Sequence, residues 1–376
     1  MKLFIHGFYG AGNAGDDAIL EAIIETVKEI DNNMEIVVSI RSKNIPAYYG
    51  KESIQYVLGT DIPSVSKELE TCSLLIVGGG GLFQDYNSFD PGNLFTNQRG
   101  AINYYTYPII LAKMMAIRVM FYGIGVGPLE KPASRTAMRW IGELADDITV
   151  RDMESYQLLK EVGVTKQVLT ADPVTRLGST YTPDANSMEN NKQLKIGINL
   201  RNWTYAEEDA KMFQQQLIRY LHFLAKAFPI SYYVMPFNKL PSELVKAEQI
   251  ARRLGNAEVI PYNSSPKEYK YLCQQLDLMI AMRLHANIFS IYEGVPSVGI
   301  SYDGKVEQFF QEINLTTYCH SLSNYDLSSF KQIIQDILNN PAHHRKVVQD
   351  NLSVLKEREK MNKEVLAKAI ELSNHD

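Results

Sequence analysis

Short apolar runs alternate with amphipathic stretches along most of the chain. In the first half, the runs are KLFIH, EIVVSI, SLLIVG, RVMFYGIG and DITVR, and helical spacing covers residues 16–30, 102–116 and 134–145 between them. This alternation is typical of right-handed βαβ units, which build a parallel sheet. The runs are apolar at consecutive positions, as expected for strands that helices cover on both faces. The pattern therefore predicts a doubly wound α/β sheet.

The alternation stops in a polar stretch and then starts again. Residues 175–193 read TRLGSTYTPDANSMENNKQ, without a period, and LKIGINL, SYYVMPF, AEVIP, DLMIAM and PSVGIS follow with helical patterns over 207–227, 242–253 and 284–293. We predict an N-terminal Rossmann-like domain over 1–175, a linker over 176–193, a C-terminal Rossmann-like domain over 194–340 and a helical tail over 341–376. We expect the tail to pack on the first domain.

Two open sheets in tandem indicate where a ligand binds. Open α/β sheets bind ligands at the carboxyl ends of their strands, so we expect two Rossmann-like domains that face each other across a cleft. The chain of 376 residues is also longer than one hydrophobic core usually supports.

Composition narrows the class of partner. The net charge of −5 argues against nucleic acid, because phosphate neutralisation needs a basic face. Three distant cysteines offer neither a disulfide framework nor metal-ligand spacing. No signal peptide is expected at the start, and the most apolar stretch, Tyr107–Gly123, is interrupted by Lys113 and Arg118, so we interpret it as a helix followed by a buried strand.

A glycine-rich turn follows the first strand. The sequence GFYGAGNAGDDAIL places G-x-G-x-x-G over Gly10–Gly15 and acidic residues at the start of a helix, where backbone N–H groups favour an anion. A dinucleotide site is disfavoured, because Arg41 and no acidic residue follows the second strand. The purely structural alternative is a tight turn with Asp16 as the helix cap.

Two further glycine clusters end strands in the first half. They are VGGGGLFQD, which contains Gln84 and Asp85, and YGIGVGPL. Because the carboxyl ends of parallel strands share an edge, three such clusters suggest a floor for a bulky polar ligand. Each cluster by itself is equally well explained by turns in a parallel sheet.

The strongest local signal is DLMIAMRLHANIFSIYEGVPSVGISYDGKV, residues 277–306. A buried strand leads into a helix, with Arg283 and His285 at the turn. Arg can bind phosphate or carboxylate with two parallel hydrogen bonds, and His can transfer a proton near neutral pH. Alternatively, the pair caps the helix or bonds Asp277. Asp303 follows the next strand, where it can orient His285, bind a sugar hydroxyl or lie on the surface.

These motifs together resemble the polysaccharide pyruvyltransferase family. The resemblance rests on GFYGAGNAGDDAIL, VGGGGLFQD, YGIGVGPL followed by VRDMESYQLL, and above all RLHANIFSIYEGVPSVGISYDGKV, and it spans residues 6–306. It implies a fold similar to GT-B glycosyltransferases and transfer of an enolpyruvyl group from phosphoenolpyruvate to a sugar as a cyclic ketal. It implies neither a metal nor a cofactor.

The resemblance also implies roles for single residues. His285 is the leading catalytic residue, and Arg283 is expected to hold the donor phosphate. By resemblance, Leu284 belongs to the donor site with Arg283 and His285. Arg151 and Arg201 follow strand ends and are our candidates for further donor cations, with a surface ion pair as the alternative for each, and Lys305 is a third candidate. Sugar hydroxyls need neutral and acidic hydrogen-bonding groups, so we assign to the acceptor side Asn13, Asp16, Gln84, Asp85 and Asp303.

The acceptor and the cellular context stay open at this point. Residues Asn87–Pro108 do not match the cell-wall branch of the family, and their Tyr and Asn residues suit either sugar binding or a core helix. The family suggests a cytoplasmic enzyme acting on a polyprenyl-linked glycan at the inner membrane face, with peripheral membrane association and homo-oligomerisation both open. The rival functions are a glycosyltransferase or epimerase that uses a nucleotide sugar, and a non-catalytic carbohydrate-binding module.

Overall fold

The chain forms two compact units in a computed structural model. The structure describes residues 1–42, 54–85, 89, 92, 101–180, 188, 192–201, 207–324 and 326–374. Unit 1 comprises Met1–Ala11, Asp16–Leu177 and Leu355–Asp376, and unit 2 comprises Gly12–Gly15 and Gly178–Val354. Each unit holds one parallel sheet with alternating helices, so the predicted α/β class is confirmed.

Unit 1 is built on a parallel sheet with strand order β3-β2-β1-β4-β5-β6-β7. The strands are β1 (Lys2–His6), β2 (Glu35–Ile40), β3 (Ile54–Leu58), β4 (Leu74–Phe83), β5 (Arg118–Val126), β6 (Asp147–Val150) and β7 (Gln167–Leu169). The helices are α1 (Ala14–Ile30), α2 (Ile62–Leu69), α3 (Ala101–Met114), α4 (Pro132–Leu144) and α5 (Met153–Glu161), followed by a 3₁₀ helix over Pro173–Arg176.

The core of unit 1 lies on the sheet faces. Phe4, Leu75 and Phe121 on adjacent strands are completely buried. The apolar stretch Tyr107–Gly123 divides as predicted, with α3 ending at Met114 and β5 beginning at Arg118. In the part of the chain that the structure describes, no helix is long and apolar enough to cross a bilayer.

The four-glycine cluster lies within strand β4. The sequence pattern had instead suggested that the cluster ends the strand. Gly79 has a positive φ of 40°, and a Cβ built on it would overlap the side chain of Ile19 on α1. The absence of a side chain therefore lets α1 approach the strand closely. At this position the glycine serves helix packing.

Unit 2 repeats the same arrangement with strand order β10-β9-β8-β11-β12-β13. Its strands are β8 (Leu194–Asn199), β9 (Ile230–Val234), β10 (Ala257–Val259), β11 (Leu278–Ala281), β12 (Ser297–Ser301) and β13 (Cys319–Ser321). Its helices are α6 (Glu207–Ala227), α7 (Pro241–Leu254), α8 (Pro266–Gln274), α9 (Leu284–Tyr292), α10 (Gly304–Glu312), α11 (Leu327–Asn339) and α12 (Pro341–Asn351). The last helix, α13 (Ser353–Leu372), belongs to unit 1 from Leu355 onwards.

The C-terminal tail is helical, as predicted, and it contains two helices. Helix α12 ends at Asn351, and α13 begins at Ser353. Within unit 1, α13 is anchored by the Asn362 side chain, whose Nδ2 donates to Ala171 O at 2.9 Å, and by the ion pair of Lys363 with Glu29 at 3.0 Å.

Candidate functional site

The candidate site of unit 2 lies where the strand order of its sheet reverses. Strands β8 and β11 are parallel neighbours at the centre of the sheet, and β9 and β12 flank them. In open α/β sheets, the carboxyl ends of the strands on either side of such a reversal form the usual ligand site. Arg201, Arg283 and Tyr302 follow three of these strands directly.

The turn from β11 into α9 is fixed by buried amides. The Arg283 backbone N–H donates to Asn199 Oδ1 at 3.1 Å, and Asn199 Nδ2 donates to Met235 O at 2.8 Å. Asn287, one turn into α9, donates to Arg283 O at 2.9 Å. Both asparagines are almost completely buried, so the backbone of the motif is held by groups shielded from water.

The side chain of Arg283 pairs with a residue that the sequence patterns had not indicated. Its Nε donates to Glu243 Oε2 at 3.1 Å, and its Nη2 donates to Glu243 Oε1. The two side chains are only 15% and 11% exposed. Asp277, the sequence-based alternative partner, instead accepts from the Lys195 backbone and pairs with Arg345.

His285 packs against the N-terminal glycine loop. Residues Gly12–Gly15 belong to unit 2, where Ala14 N donates to Phe237 O at 3.0 Å and Lys239 N donates to Gly12 O at 2.8 Å. A Cβ built on Gly15 would overlap the His285 imidazole. The ring therefore rests on bare backbone, and any larger residue at position 15 would displace it.

Arg201 and Tyr302 form a second polar group at this edge. Arg201 Nη1 donates to Tyr302 Oη at 3.0 Å, and the guanidinium carbon lies 5.1 Å from the Tyr302 ring centroid. Burial, followed by the charge of Asp303, raises the pKa of Tyr302, whereas the charges of Arg201 and Arg283 oppose the rise. The charges of both arginines thus act on Tyr302, and its neutral hydroxyl accepts the hydrogen bond from Arg201.

Three helices begin at this edge without a side-chain cap. The N-cap residues of α7, α9 and α10 make no capping hydrogen bond through their side chains, whereas α8 begins with a capping box of Ser265 and Glu268. The first N–H groups of a helix favour anions. Leu284 opens α9, and Asp303 and Lys305 flank the start of α10, so these predicted residues share this edge with Arg283.

The remaining predicted donor residue lies in unit 1. Arg151 is 6% exposed, and it pairs with Asp152 at 3.3 Å and Asp172 at 3.0 Å. Burial lowers the pKa of Arg151, but the charges of Asp172 and Asp152 outweigh it and leave the pKa above its ordinary value. Its assignment to the donor stays a prediction.

The predicted acceptor residues are divided between the units. Asn13, in unit 2, accepts from Gly15 N at 3.0 Å and so caps the start of α1. Asp85, in unit 1, accepts from Glu130 N at 2.5 Å and Lys131 N at 2.9 Å, which fixes the chain before α4. Asp16 and Gln84 are half-buried residues of unit 1. The acceptor role of all these residues stays a prediction.

The aromatic segment Asn87–Pro108 is described in part. Residues 87, 88, 90, 91 and 93–100 lie outside the described residues. Tyr104 and Tyr105 on α3 are buried, and Tyr105 packs against Phe83 with ring centroids 6.0 Å apart. These two tyrosines therefore belong to the core. Among the described residues, no cluster of three His, Cys, Asp or Glu side chains could hold a metal ion.

Sequence reasoning missed three site residues, namely Asn199, Glu243 and Tyr302. A signal for Glu243 was available, because a helix was predicted over 242–253 directly after a strand, which places its first turn at the same sheet edge as Arg283. The Asn199 side chain faces the neighbouring strands, which only the sheet order reveals.

Comparisons with known proteins agree with this architecture. The sequence model of the polysaccharide pyruvyl transferase family matches residues 13–304. No curated protein matches the sequence significantly.

Solved structures with a similar fold include three that contain UDP or UDP-GlcNAc. One is the S. aureus MnaA–UDP co-structure, at 10% identity and TM-score 0.61, covering 93% of this chain and 91% of that one. Another is UDP-GlcNAc 2-epimerase from Neisseria meningitidis bound to UDP-GlcNAc, at 12% identity and TM-score 0.61, covering 98% and 100%. A third is Anabaena HepE in complex with UDP and glucose, at 13% identity and TM-score 0.59, covering 99% of each chain. The expected GT-B likeness is confirmed.

Proposed function

Because this chain belongs to the polysaccharide pyruvyl transferase family, we propose that it transfers pyruvate from phosphoenolpyruvate to a sugar of a cell-surface polysaccharide or its lipid-linked precursor. The product is a cyclic pyruvate ketal, and phosphate is released. The observation that carries the proposal is the pair of Arg283 and His285, two positions apart, at the carboxyl end of β11 in the centre of the sheet.

The donor is a small and highly anionic molecule, which suits the charges at this edge. Phosphoenolpyruvate carries a phosphate and a carboxylate, and both groups need N–H donors and cations when water is excluded. The starts of α9 and α10 supply backbone N–H groups, and Arg283 supplies a guanidinium. Arg201 and Lys305 are proposed to supply further positive charge, and Leu284 to line the same site.

Ketal formation requires proton transfer in both directions. The methylene carbon of the donor gains a proton, a sugar hydroxyl adds to the resulting cationic carbon, phosphate leaves, and a second hydroxyl closes the ring. Each hydroxyl loses its proton in the process. An imidazole can donate or accept a proton near neutral pH, and His285 is proposed to perform one of these transfers.

The packing of His285 on Gly15 supports this role. A catalytic imidazole must be held in a fixed orientation, since small displacements of a reacting group cost rate. The backbone of Gly15 forms one wall against the ring, and the bonds of residues 12 and 14 to Lys239 and Phe237 hold that wall in place.

Mass spectrometry tests the reaction directly. A glycan pool incubated with the protein and phosphoenolpyruvate should contain products heavier by pyruvic acid less one water, and each transfer should release one phosphate. The same incubation should be repeated with a panel of bacterial surface glycans. If no glycan gains mass and phosphoenolpyruvate is not consumed, the proposal is contradicted.

The rival donor class is a nucleotide sugar. The similar structures of MnaA, the Neisseria epimerase and HepE favour it, because they contain UDP or UDP-GlcNAc. Thermal shift separates the two donors, since a ligand that binds the folded state raises the melting temperature. We expect phosphoenolpyruvate to stabilise the protein and UDP-GlcNAc to leave it unchanged. The opposite result would move the function to the nucleotide-sugar class.

A further inference from the structure

We infer that Glu243 is a positioning residue, which orients the Arg283 guanidinium so that one edge of it faces the donor anion. The inference rests on the proposed function, because it assigns Arg283 to phosphoenolpyruvate. It adds a residue on a different element, helix α7, to a site otherwise defined by the turns after β8, β11 and β12.

The geometry divides the guanidinium into two edges. Glu243 accepts from Nε and Nη2, so its carboxylate takes the side edge of the planar group. Nη1 makes no hydrogen bond to any residue in the described part of the chain. The five N–H groups of Arg lie in one fixed plane, so holding one edge fixes the direction of the other.

The same residue is also held at its backbone. Asn199 accepts from the Arg283 N–H at 3.1 Å, and Asn199 is itself 1% exposed. Arg283 is therefore restrained at both ends of a long side chain that would otherwise sample many rotamers. A side chain that is already restrained loses less conformational entropy when the donor binds, which improves the affinity for the donor.

Charge alone does not explain the presence of Glu243. A carboxylate beside Arg283 weakens the attraction of the site for an anionic donor, so its benefit must come from orientation. Positive charge is still present in Arg201 and Lys305 and at the starts of α9 and α10. If Glu243 instead competed with the donor for Arg283, its removal would raise the affinity for the donor, so the titration separates the two roles.

A second ion pair in the same unit, between Lys270 and Glu293, lies between two helices and offers a comparison. Lys270 and Glu293 lie 3.1 Å apart with side chains only 3% and 9% exposed, and they join α8 to the end of α9. The pair of Glu243 and Arg283 lies instead at the carboxyl edge of the sheet, at the starts of two helices without side-chain caps.

Calorimetric titration with phosphoenolpyruvate tests the inference. We expect Glu243→Gln to weaken binding by about tenfold, because the amide keeps one acceptor and loses the second. Glu243→Asp should bind with intermediate affinity, since the charge is kept but the reach is shorter. The matched control is Glu248→Gln on the exposed face of the same helix, which should bind within about twofold of the wild type.

A double variant separates positioning from structural damage. In an Arg283→Ala background, Glu243→Gln should have no additional effect on affinity, because the group through which Glu243 acts is absent. A further loss in that background would indicate a structural role and overturn the inference. Affinity of Glu243→Gln that equals or exceeds the wild-type value would also overturn it.

The outcomes for the wild type distinguish the inference from the proposed function. Wild-type protein that binds phosphoenolpyruvate, together with a Glu243→Gln variant of equal affinity, removes the role of Glu243 and leaves the proposed function intact. Wild-type protein that does not bind phosphoenolpyruvate contradicts the proposed function and this inference together.

Discussion

Two arginines follow inner strands of the two sheets, and their surroundings differ. Arg151, after β6 in unit 1, is 6% exposed and paired with two carboxylates. Arg283, after β11 in unit 2, is less buried and paired with one carboxylate, which leaves part of its guanidinium to other partners. Both residues are arginines that follow a strand, Arg151 directly after β6 and Arg283 two residues after the end of β11. The two arginines therefore differ in the number of carboxylates that hold them, and this difference can be tested.

Side-chain caps occur in both units. In unit 1, Asp61 caps α2 and Asp152 caps α5, whereas α4 begins without a side-chain cap. In unit 2, α8 and α11 are capped, whereas the N-cap residues of α7, α9 and α10 make no capping hydrogen bond through their side chains. Two of these uncapped helices, α9 and α10, begin beside Arg283 and Tyr302, which is the arrangement on which the proposed anion site depends.

The largest effect is expected for His285. We expect His285→Ala to lower the rate of phosphate release from phosphoenolpyruvate by roughly 10²–10⁴-fold, the usual contribution of one acid–base group. The melting temperature should stay close to the wild-type value, because His285 is half-buried and at the sheet edge. His343→Ala, at an exposed position of α12, is the control and should keep full activity. If the His285→Ala protein released phosphate at the wild-type rate, the proposed catalytic role of His285 at the unit 2 edge would be wrong.

The two arginines can be tested against each other. Arg151→Ala leaves Asp172 buried without its cation, so we expect a loss of roughly 3–5 kcal/mol and a fall in melting temperature of roughly 10 °C. Arg283→Lys keeps a charge beside Glu243, so its melting temperature should change little while its affinity for phosphoenolpyruvate falls by about tenfold. Differential scanning calorimetry and donor titration measure both. An equal loss of stability in the two variants would show that the two arginines contribute alike to the fold, contrary to the difference in their ion pairs.

Gly15 offers a smaller and more specific test. A methyl group at this position would overlap the imidazole, so Gly15→Ala should displace His285 and lower kcat by roughly 10–100-fold. The KM for phosphoenolpyruvate should change less, because the three atoms nearest to the added methyl group all belong to His285 and none to Arg283. Gly178→Ala is the control, since a Cβ there meets no atom within 4 Å. A normal kcat for Gly15→Ala would show that the ring tolerates displacement.

The smallest effect concerns pH and unit 1. Glu359 on α13 is 4% exposed, its Oε1 has no hydrogen-bond partner among the described residues, and Arg176 Nη1 lies 3.8 Å away. Burial raises the pKa of Glu359 to about 7, although the Arg176 charge opposes the rise. The folded state therefore binds this proton more tightly than the unfolded state. Stability should fall as pH rises from about 4.5 to about 7 and then level off.

Glu359→Gln removes this titration. At pH 8 the variant should be more stable than the wild type, by on the order of 2 kcal/mol, and the two proteins should converge near pH 4. Urea unfolding at a series of pH values measures the difference. A wild-type stability that increases between pH 5 and pH 7, relative to the variant, would contradict the assigned burial of this carboxylate.

The regular elements could be predicted from the sequence because they depend on local periodicity. The run KLFIH matches β1, and the helical pattern over 207–227 matches α6. Strand β4 was predicted too short, because glycines usually end strands. Here the strand continues through Gly79, which has no side chain and so leaves room for Ile19 of α1. The break at Leu352 interrupts a stretch that reads as one helix, and the structure offers no local reason for it.

The candidate site could be predicted only where one segment contains its residues. Arg283 and His285 share a strand-to-helix turn, so their proximity follows from the sequence. The pairing of Arg283 with Glu243 joins residues 40 positions apart, and the packing of His285 on Gly15 joins residues about 270 positions apart. Neither contact has a local signature, because both depend on the strand order. The same holds for Arg151, whose second carboxylate, Asp172, lies beyond α5 and β7.

A crystal structure of the protein with phosphoenolpyruvate tests the central claim most directly. The account predicts a phosphate or carboxylate oxygen of the donor within hydrogen-bond distance of Arg283 and of the first backbone N–H groups of α9, with the His285 ring beside the donor carbons and Glu243 still paired with Arg283. Phosphoenolpyruvate bound away from the carboxyl edge of the unit 2 sheet, with Arg283 and His285 making no contact to it, would contradict the account.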